Sequence, residues 1–288
     1  MELKPGMIVQ LTVERKADFG YFLTDNNKEI EDILLHNRQV TEAIEVGQSI
    51  EVFLFHDHHG RLSATMEEPI ISLDSNFDWL EVVSVNEKDG VFLYNGISRD
   101  LFLSMDDLGS DRSLWPKVGE KVPVSLTFDK KGRLMGRLLR GTPVEETASE
   151  APKTILNSEI TGTVYSFSEK GAFVFTEQSY IAFLHFNETS EELHLGKVLT
   201  ARVTFVRDDG KINISMQPKA HERRHDDADT IFDFLLKRDG GMPYTDKSDP
   251  IIIKQKFNMS KGSFKRALGK LLKEGKIYQK DGWTFKKE

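Results

Sequence analysis

Three short landmarks recur in the same order along this chain, and recurrence at a fixed spacing limits the possible folds more than any bulk property does. The first is a glycine with an aromatic two residues on: Gly20 and Phe22, Gly90 and Phe92, Gly171 and Phe173. The second is an aliphatic-glycine pair: Val46-Gly47, Val118-Gly119 and Leu195-Gly196. The third is a glycine, a basic residue and an aliphatic: Gly60-Arg61-Leu62, Gly132-Arg133-Leu134 and Gly210-Lys211-Ile212. The glycine of the third landmark recurs after 72 and then 78 residues, that of the second after 72 and 77. One structural unit is therefore present three times.

Within a unit the periodicity is that of strands. In the first, segments 8–13, 20–23, 33–35, 50–55 and 62–65 are apolar or alternate apolar with polar, and the turns between them are rich in Asp, Asn, His and Gly. The third unit repeats the pattern at 160–165, 172–175, 181–184, 199–205 and 212–216. Five short strands in so few residues suit a small closed barrel of the OB type, whose tight bends favour glycine. The acidic, Pro-bounded stretch 142–152 reads as a flexible linker. After Ala228 the period becomes helical, with Ile231, Phe232, Phe234, Leu235 and Leu236 on one face and Gly240-Gly241 as the stop. Asp249-Pro250 reads as the cap and first residue of a second helix. Ser260 introduces a third, which ends before Gly275, and Asp281-Gly282 marks the turn of a closing hairpin. The expected architecture is multidomain and mainly β: three tandem five-stranded OB-fold barrels at 1–67, 76–141 and 154–218, followed by an α+β winged helix-turn-helix domain at 226–288.

Composition narrows the chemistry. The 288 residues contain no cysteine, which excludes disulfides, thiolate zinc sites and cysteine nucleophiles. No basic region precedes an apolar core at the N-terminus and no apolar run reaches the length of a membrane span, so a cytoplasmic protein without membrane association is expected. The net charge of −7 is unevenly spread. Residues 251–288 hold eleven Lys and Arg against three Asp and Glu, a balance of +8, which leaves −15 on the rest. A basic end on an acidic body points to a polyanionic partner for that end.

The candidate binding residues lie on the repeats. The segment Phe19-Gly20-Tyr21-Phe22-Leu23, with Leu35-His36, Val46-Gly47-Gln48 and Asp57-His58-His59-Gly60-Arg61, resembles the S-one domain, an RNA-binding OB barrel. That resemblance implies that Phe19, Phe22, His36, Asp57 and Arg61 share a face that contacts single-stranded RNA. Aromatic rings stack on unpaired bases while a cation holds the phosphates, at about 1–3 kcal/mol per stacked base. A single strand aromatic such as Phe22 is otherwise a core residue. The third repeat keeps Phe173, His185 and a cation at Lys211, with Lys170 in place of the first aromatic and Arg207 in place of the aspartate. The second keeps Phe92, Asp129 and Arg133, with Asp89 and Ser104 at the other two positions, and reads as a degenerate unit or spacer.

The winged helix offers Lys261, Lys265, Arg266, Lys270 and Lys273 along its third helix, with Lys280, Lys286 and Lys287 near the wing. Few of these can read base edges, so backbone contact is expected rather than operator recognition. His221-Glu222-Arg223-Arg224-His225 matches a zinc-protease motif but lies in a charged connector without the usual continuation. The run His56-Asp57-His58-His59 reads as a hairpin tip. No catalytic residue, metal, cofactor or small-molecule substrate is therefore expected.

Three such units and a winged helix over nearly the whole chain resemble the bacterial conserved virulence factor B family. The resemblance implies non-catalytic binding of single-stranded RNA and post-transcriptional regulation of gene expression, with DNA or ribosome-associated RNA as other partner classes. Two rival readings are a protein-interaction scaffold, whose acidic barrels would repel nucleic acid, and a DNA-binding transcription regulator acting through the winged helix.

Overall fold

A computed structural model describes residues 2–25, 32–218 and 220–287, without the side chains of 220–226. The chain forms two compact units, Met1–Met216 and Gln217–Glu288.

The first unit holds three closed five-stranded barrels. The first consists of β1 (Ile8–Ala17), β2 (Gly20–Thr24), β3 (Ile33–His36), β4 (Ser49–His56) and β5 (Leu62–Thr65). The second has β6 (Asp78–Asn86), β7 (Gly90–Tyr94), β8 (Leu101–Ser104), the single-turn helix α1 (Met105–Leu108), β9 (Lys121–Phe128) and β10 (Leu134–Leu138). A short helix, α2 (Thr142–Glu145), precedes the third: β11 (Glu159–Ser168), β12 (Gly171–Thr176), β13 (Ile181–His185), β14 (Val198–Val206) and β15 (Ile212–Ser215). In each barrel the first three strands form an antiparallel meander, and the third pairs in parallel with the fifth. The fifth and first strands both flank the fourth, which closes the sheet. Each opening strand carries a register shift at the same place, between Val13 and Arg15, Val82 and Ser84, and Val164 and Ser166. Bulges there bend the strand so that it can serve two neighbours around the barrel.

The glycines of the first landmark have a steric cause. A Cβ on Gly20, Gly90 or Gly171 would press into the carbonyl oxygen of Leu35, Leu103 or Leu184 on the facing strand. Those of the third landmark, Gly60, Gly132 and Gly210, take φ of +77°, +75° and +74° in the turn before the last strand. Between the landmarks, alternate residues fill the barrels: Leu11, Val13, Leu23, Leu35, Val52 and Leu54 in the first, with corresponding Leu and Val in the others. Each such side chain contributes roughly 1.5–3 kcal/mol on burial.

The barrels also pack on one another. Gly6 lies against Leu73 and Leu134, and the Asn95 carboxamide, itself buried, bonds the N–H and C=O of Ile71. Leu195 enters the core of the second barrel, and Trp79 meets Phe175 at 5.6 Å between ring centroids.

Two expectations are corrected here. Residues 142–152 are not a flexible linker. Val144, Ala148 and Ala151, spaced i, i+4, i+7, turn toward the third barrel; Val144 is fully buried, Ser149 N–H donates to Ser179 O at 2.8 Å and Ala151 N–H to Gly210 O at 2.9 Å. Three small apolar residues dispersed among acids suffice to seat the segment, which its composition conceals.

The second correction concerns the start of the helical region. α3 (Ala220–Leu236) begins well before Ala228, because its charged first turns continue the helix ahead of the apolar stripe Ala228, Ile231 and Leu235. The side chains of the His221 to His225 motif lie outside the described residues. The second unit continues with β16 (Gly241–Met242), α4 (Pro250–Phe257), α5 (Lys261–Lys273), β17 (Ile277–Lys280) and β18 (Trp283–Lys286), its three strands ordered β16-β18-β17. Asp249 accepts from Ile251 N–H to cap α4, and Ser260 from Ser263 N–H to cap α5. Asp281 and Gly282, at φ +49° and +79°, make the two-residue hairpin turn.

Candidate nucleic-acid interface

In the first barrel Phe22 alternates with Tyr21 and Leu23, which pack with the core, and so it faces away from the barrel interior. Phe19, in the β1–β2 turn, is 51% exposed and meets Phe22 edge-on at 5.9 Å. Arg15 lies over the Phe22 ring, its guanidinium carbon 3.5 Å from the ring centroid and its Nη2 3.0 Å from Asp32 Oδ2. Arg15 is a neighbour the sequence reading missed; its only signal is its place opposite Phe22 in the register.

His36 pairs with Gly20 in the sheet and caps the turn that follows, its Nδ1 accepting from Arg38 N–H at 3.1 Å. His185 does the same with Asn187 N–H at 3.1 Å, and Ser104 does it for α1 with its hydroxyl, accepting from Asp106 N–H. These equivalent residues share a backbone task that imidazole and hydroxyl perform alike.

Asp57 organises the β4–β5 turn. Its carboxylate accepts from the N–H groups of His59 and Arg61, and Arg61 Nη2 reaches it at 2.8 Å. Burial pushes this carboxyl up, but the Arg61 and His59 hydrogen bonds and the guanidinium charge prevail and bring it down to about 2. Asp57 thus holds Arg61, which stays largely exposed. Asp129 holds Arg133 in the same way, at 2.7 Å from Nε. In the second barrel Phe92 packs on Phe102 at 5.3 Å, with Asp89 in the turn where the first barrel has Phe19.

The third barrel gathers most. A groove of about 400 Å³ is lined by Lys170, Phe173, Phe183, Arg207 and Lys211 among others. Phe183 lies 5.2 Å from Phe173 and 6.4 Å from His185. It was not singled out from the sequence, although it faces Phe173 across the sheet as Phe102 faces Phe92. Lys170 and Arg207, read as departures from the pattern, supply two of the groove's three cations. The third, Lys211, is held by Glu145 of α2 at 2.6 Å. A second groove, of about 780 Å³, mixes Arg112, Lys117 and Lys197 with Glu87, Glu191 and Glu192 and contains none of the anticipated residues.

In the second unit Lys261, Lys265, Arg266 and Lys273 are exposed on α5, while Phe264, Ala267, Leu268 and Leu271 are buried on its other side. Arg266 bonds the Ser263 hydroxyl, and Lys270, half-buried, lies 3.7 Å from Glu274.

Comparison with known proteins matches each of the four domains to a family model. Residues 5–67 match the S1 domain, 77–137 the CvfB first S1-like domain, 144–218 the second domain of virulence regulatory factor CvfB, and 229–285 the CvfB-like winged helix domain. S1 and winged-helix domains are nucleic-acid-binding types. A crystal structure from Streptococcus pneumoniae, described as a multidomain protein with nucleic acid binding domains, is similar with a TM-score of 0.65 and 31% identity over 98% of both chains. YitL of Bacillus subtilis is 41% identical over 99% of this chain and 95% of its own length. Conserved virulence factor B of Staphylococcus aureus is 35% identical over 97% of this chain and 95% of its own, and the chain belongs to the conserved virulence factor B family.

Proposed function

We propose that this protein binds single-stranded RNA without catalysing a reaction on it, and that it regulates gene expression after transcription in the cytoplasm. The observation that carries this reading is the third-barrel groove, where Phe173 and Phe183 lie among Lys170, Arg207 and Lys211. Unpaired bases need ring faces and a flexible phosphate chain needs dispersed cations, whereas a stiff duplex would present neither its base faces nor a path into such a groove. The first barrel, with Phe19, Phe22 and Arg61, supplies a second, weaker site. The exposed cations of α5 add phosphate contacts, and linked weak sites raise affinity through effective concentration. Regulation is the role carried by the description of the family matched by residues 144–218, virulence regulatory factor CvfB.

The test is fluorescence polarisation with a short single-stranded RNA and a matched DNA duplex, on the full chain, across a salt series. RNA should bind more tightly, with log affinity falling by about 0.7 per phosphate neutralised for each unit of log salt. Phe173→Ala with Lys211→Ala should weaken RNA binding at least about fivefold, the lower end of what one stacked base is worth. A preference for the duplex would favour a DNA regulator; no nucleic-acid binding at low salt would leave the scaffold reading.

A further inference from the structure

The outer face of the three-stranded sheet in the second unit carries a row of rings that neither the helix cations nor the barrels explain. Strand register sets this face. Met242, Ile277 and Thr284 are buried against the helices, so the alternate residues Tyr278, Lys280, Trp283 and Phe285 stand on the other side. Tyr278 and Phe285 are direct cross-strand partners with nearly parallel rings 5.3 Å apart, and Trp283 continues the row at 6.1 Å and 16°. Lys280 pairs with Trp283.

Packing accounts for Phe285, whose ring closes over the bare backbone of Gly241 on the neighbouring strand. It does not account for the two flanking rings. Tyr278 is 46% and Trp283 44% exposed, and they are the exposed aromatic side chains of this unit among the described residues. The sheet is held firmly beneath them. The Thr284 hydroxyl, fully buried, donates to Tyr244 O at 2.7 Å and lies 3.2 Å from Gln279 Nε2.

We propose that this face is a stacking site for unpaired bases of single-stranded RNA, with Tyr278 and Trp283 as the ring surfaces and Lys280 as a phosphate contact. The inference rests on the RNA reading above and adds a place on the winged helix where bases, rather than backbone alone, are held. Charge complementarity identifies the occupant. Residues 251–288 carry a balance of +8, with Lys280 beside the rings, which favours a polyanion over an apolar protein surface. Flat rings at the surface of a rigid sheet suit a base whose face is free, and a duplex keeps its base faces hidden.

The protein supplies its own probe. Of its three tryptophans, Trp115 is buried and Trp79 is half-buried against Phe175, so stacking at the surface should be reported by Trp283. A short oligouridylate is titrated into the full-length wild type, Trp283→Phe and Tyr278→Ala/Trp283→Ala, with indole emission and polarisation read together. Wild-type emission should be quenched. Trp283→Phe should abolish that change, and the double variant should bind at least about fivefold more weakly than the wild type.

Binding by the wild type without any change that Trp283→Phe removes would overturn the proposal, even if the double variant misfolds. So would a correctly melting double variant of unchanged affinity, or a DNA duplex that quenches Trp283 more than the RNA does. No RNA binding by the wild type at all would instead overturn the RNA reading, and this site with it.

Discussion

At the scale of single residues, the structure separates what the motif positions share. His36, Ser104 and His185 cap the turn after the third strand of their barrels, and Asp57 and Asp129 hold an arginine across a hairpin. The sequence made these residues visible because they are polar residues at fixed places in a repeat. It could not show that their first partners are backbone N–H groups, which come close only when the barrel closes. Lys211 raises a different issue, because Glu145 occupies it at 2.6 Å with both side chains about one-third exposed. A part-exposed pair of this kind is worth up to about 1 kcal/mol, and a phosphate must displace the carboxylate to reach the lysine. Glu145→Gln should therefore raise RNA affinity by up to about fivefold and steepen the salt dependence by about 0.7 in slope. A salt series on the purified variant reads both, and an unchanged slope would mean that Lys211 does not contact phosphate.

At the scale of elements, α5 is the clearest case of a helix legible from its apolar spacing, and Phe264, Ala267, Leu268 and Leu271 form the buried stripe. Its interior also contains Gly269, where a Cβ would meet nothing within 4 Å. Glycine costs a helix interior about 0.8–1.0 kcal/mol relative to alanine. Gly269→Ala should stabilise the unit by about that amount, raising its melting temperature by roughly 4–8 °C for a domain of this size. Calorimetry of the full chain gives the answer, and a loss of stability would mean that the helix face is covered. The connector 142–152 is the opposite case: charge and proline dominate its composition, while Val144 decides its position. Local composition weighs all residues equally, and burial does not.

At the scale of the whole molecule, the three barrels pack into one unit, and the contacts between them are specific. Leu195, on the Leu-Gly landmark of the third repeat, lies in the core of the second barrel, and His194 Nε2 meets Glu120 Oε1 at 2.7 Å beside it. Leu195→Ala should cost about 2–5 kcal/mol and lower one shared transition of the second and third barrels, as seen by scanning calorimetry. Two transitions moving independently would mean that the barrels melt alone. The sequence by itself determined the repeat, the strand number in each barrel, the winged-helix order and the positions of the aromatics and cations. All of these rest on local spacing and on steric demands written into one stretch of chain. Only the tertiary structure decided which of those side chains share a groove, which lysine is already occupied, and that Val144 and Leu195 seal junctions. Each of these depends on residues far apart in the chain, which come within contact distance only once the barrels have closed and packed.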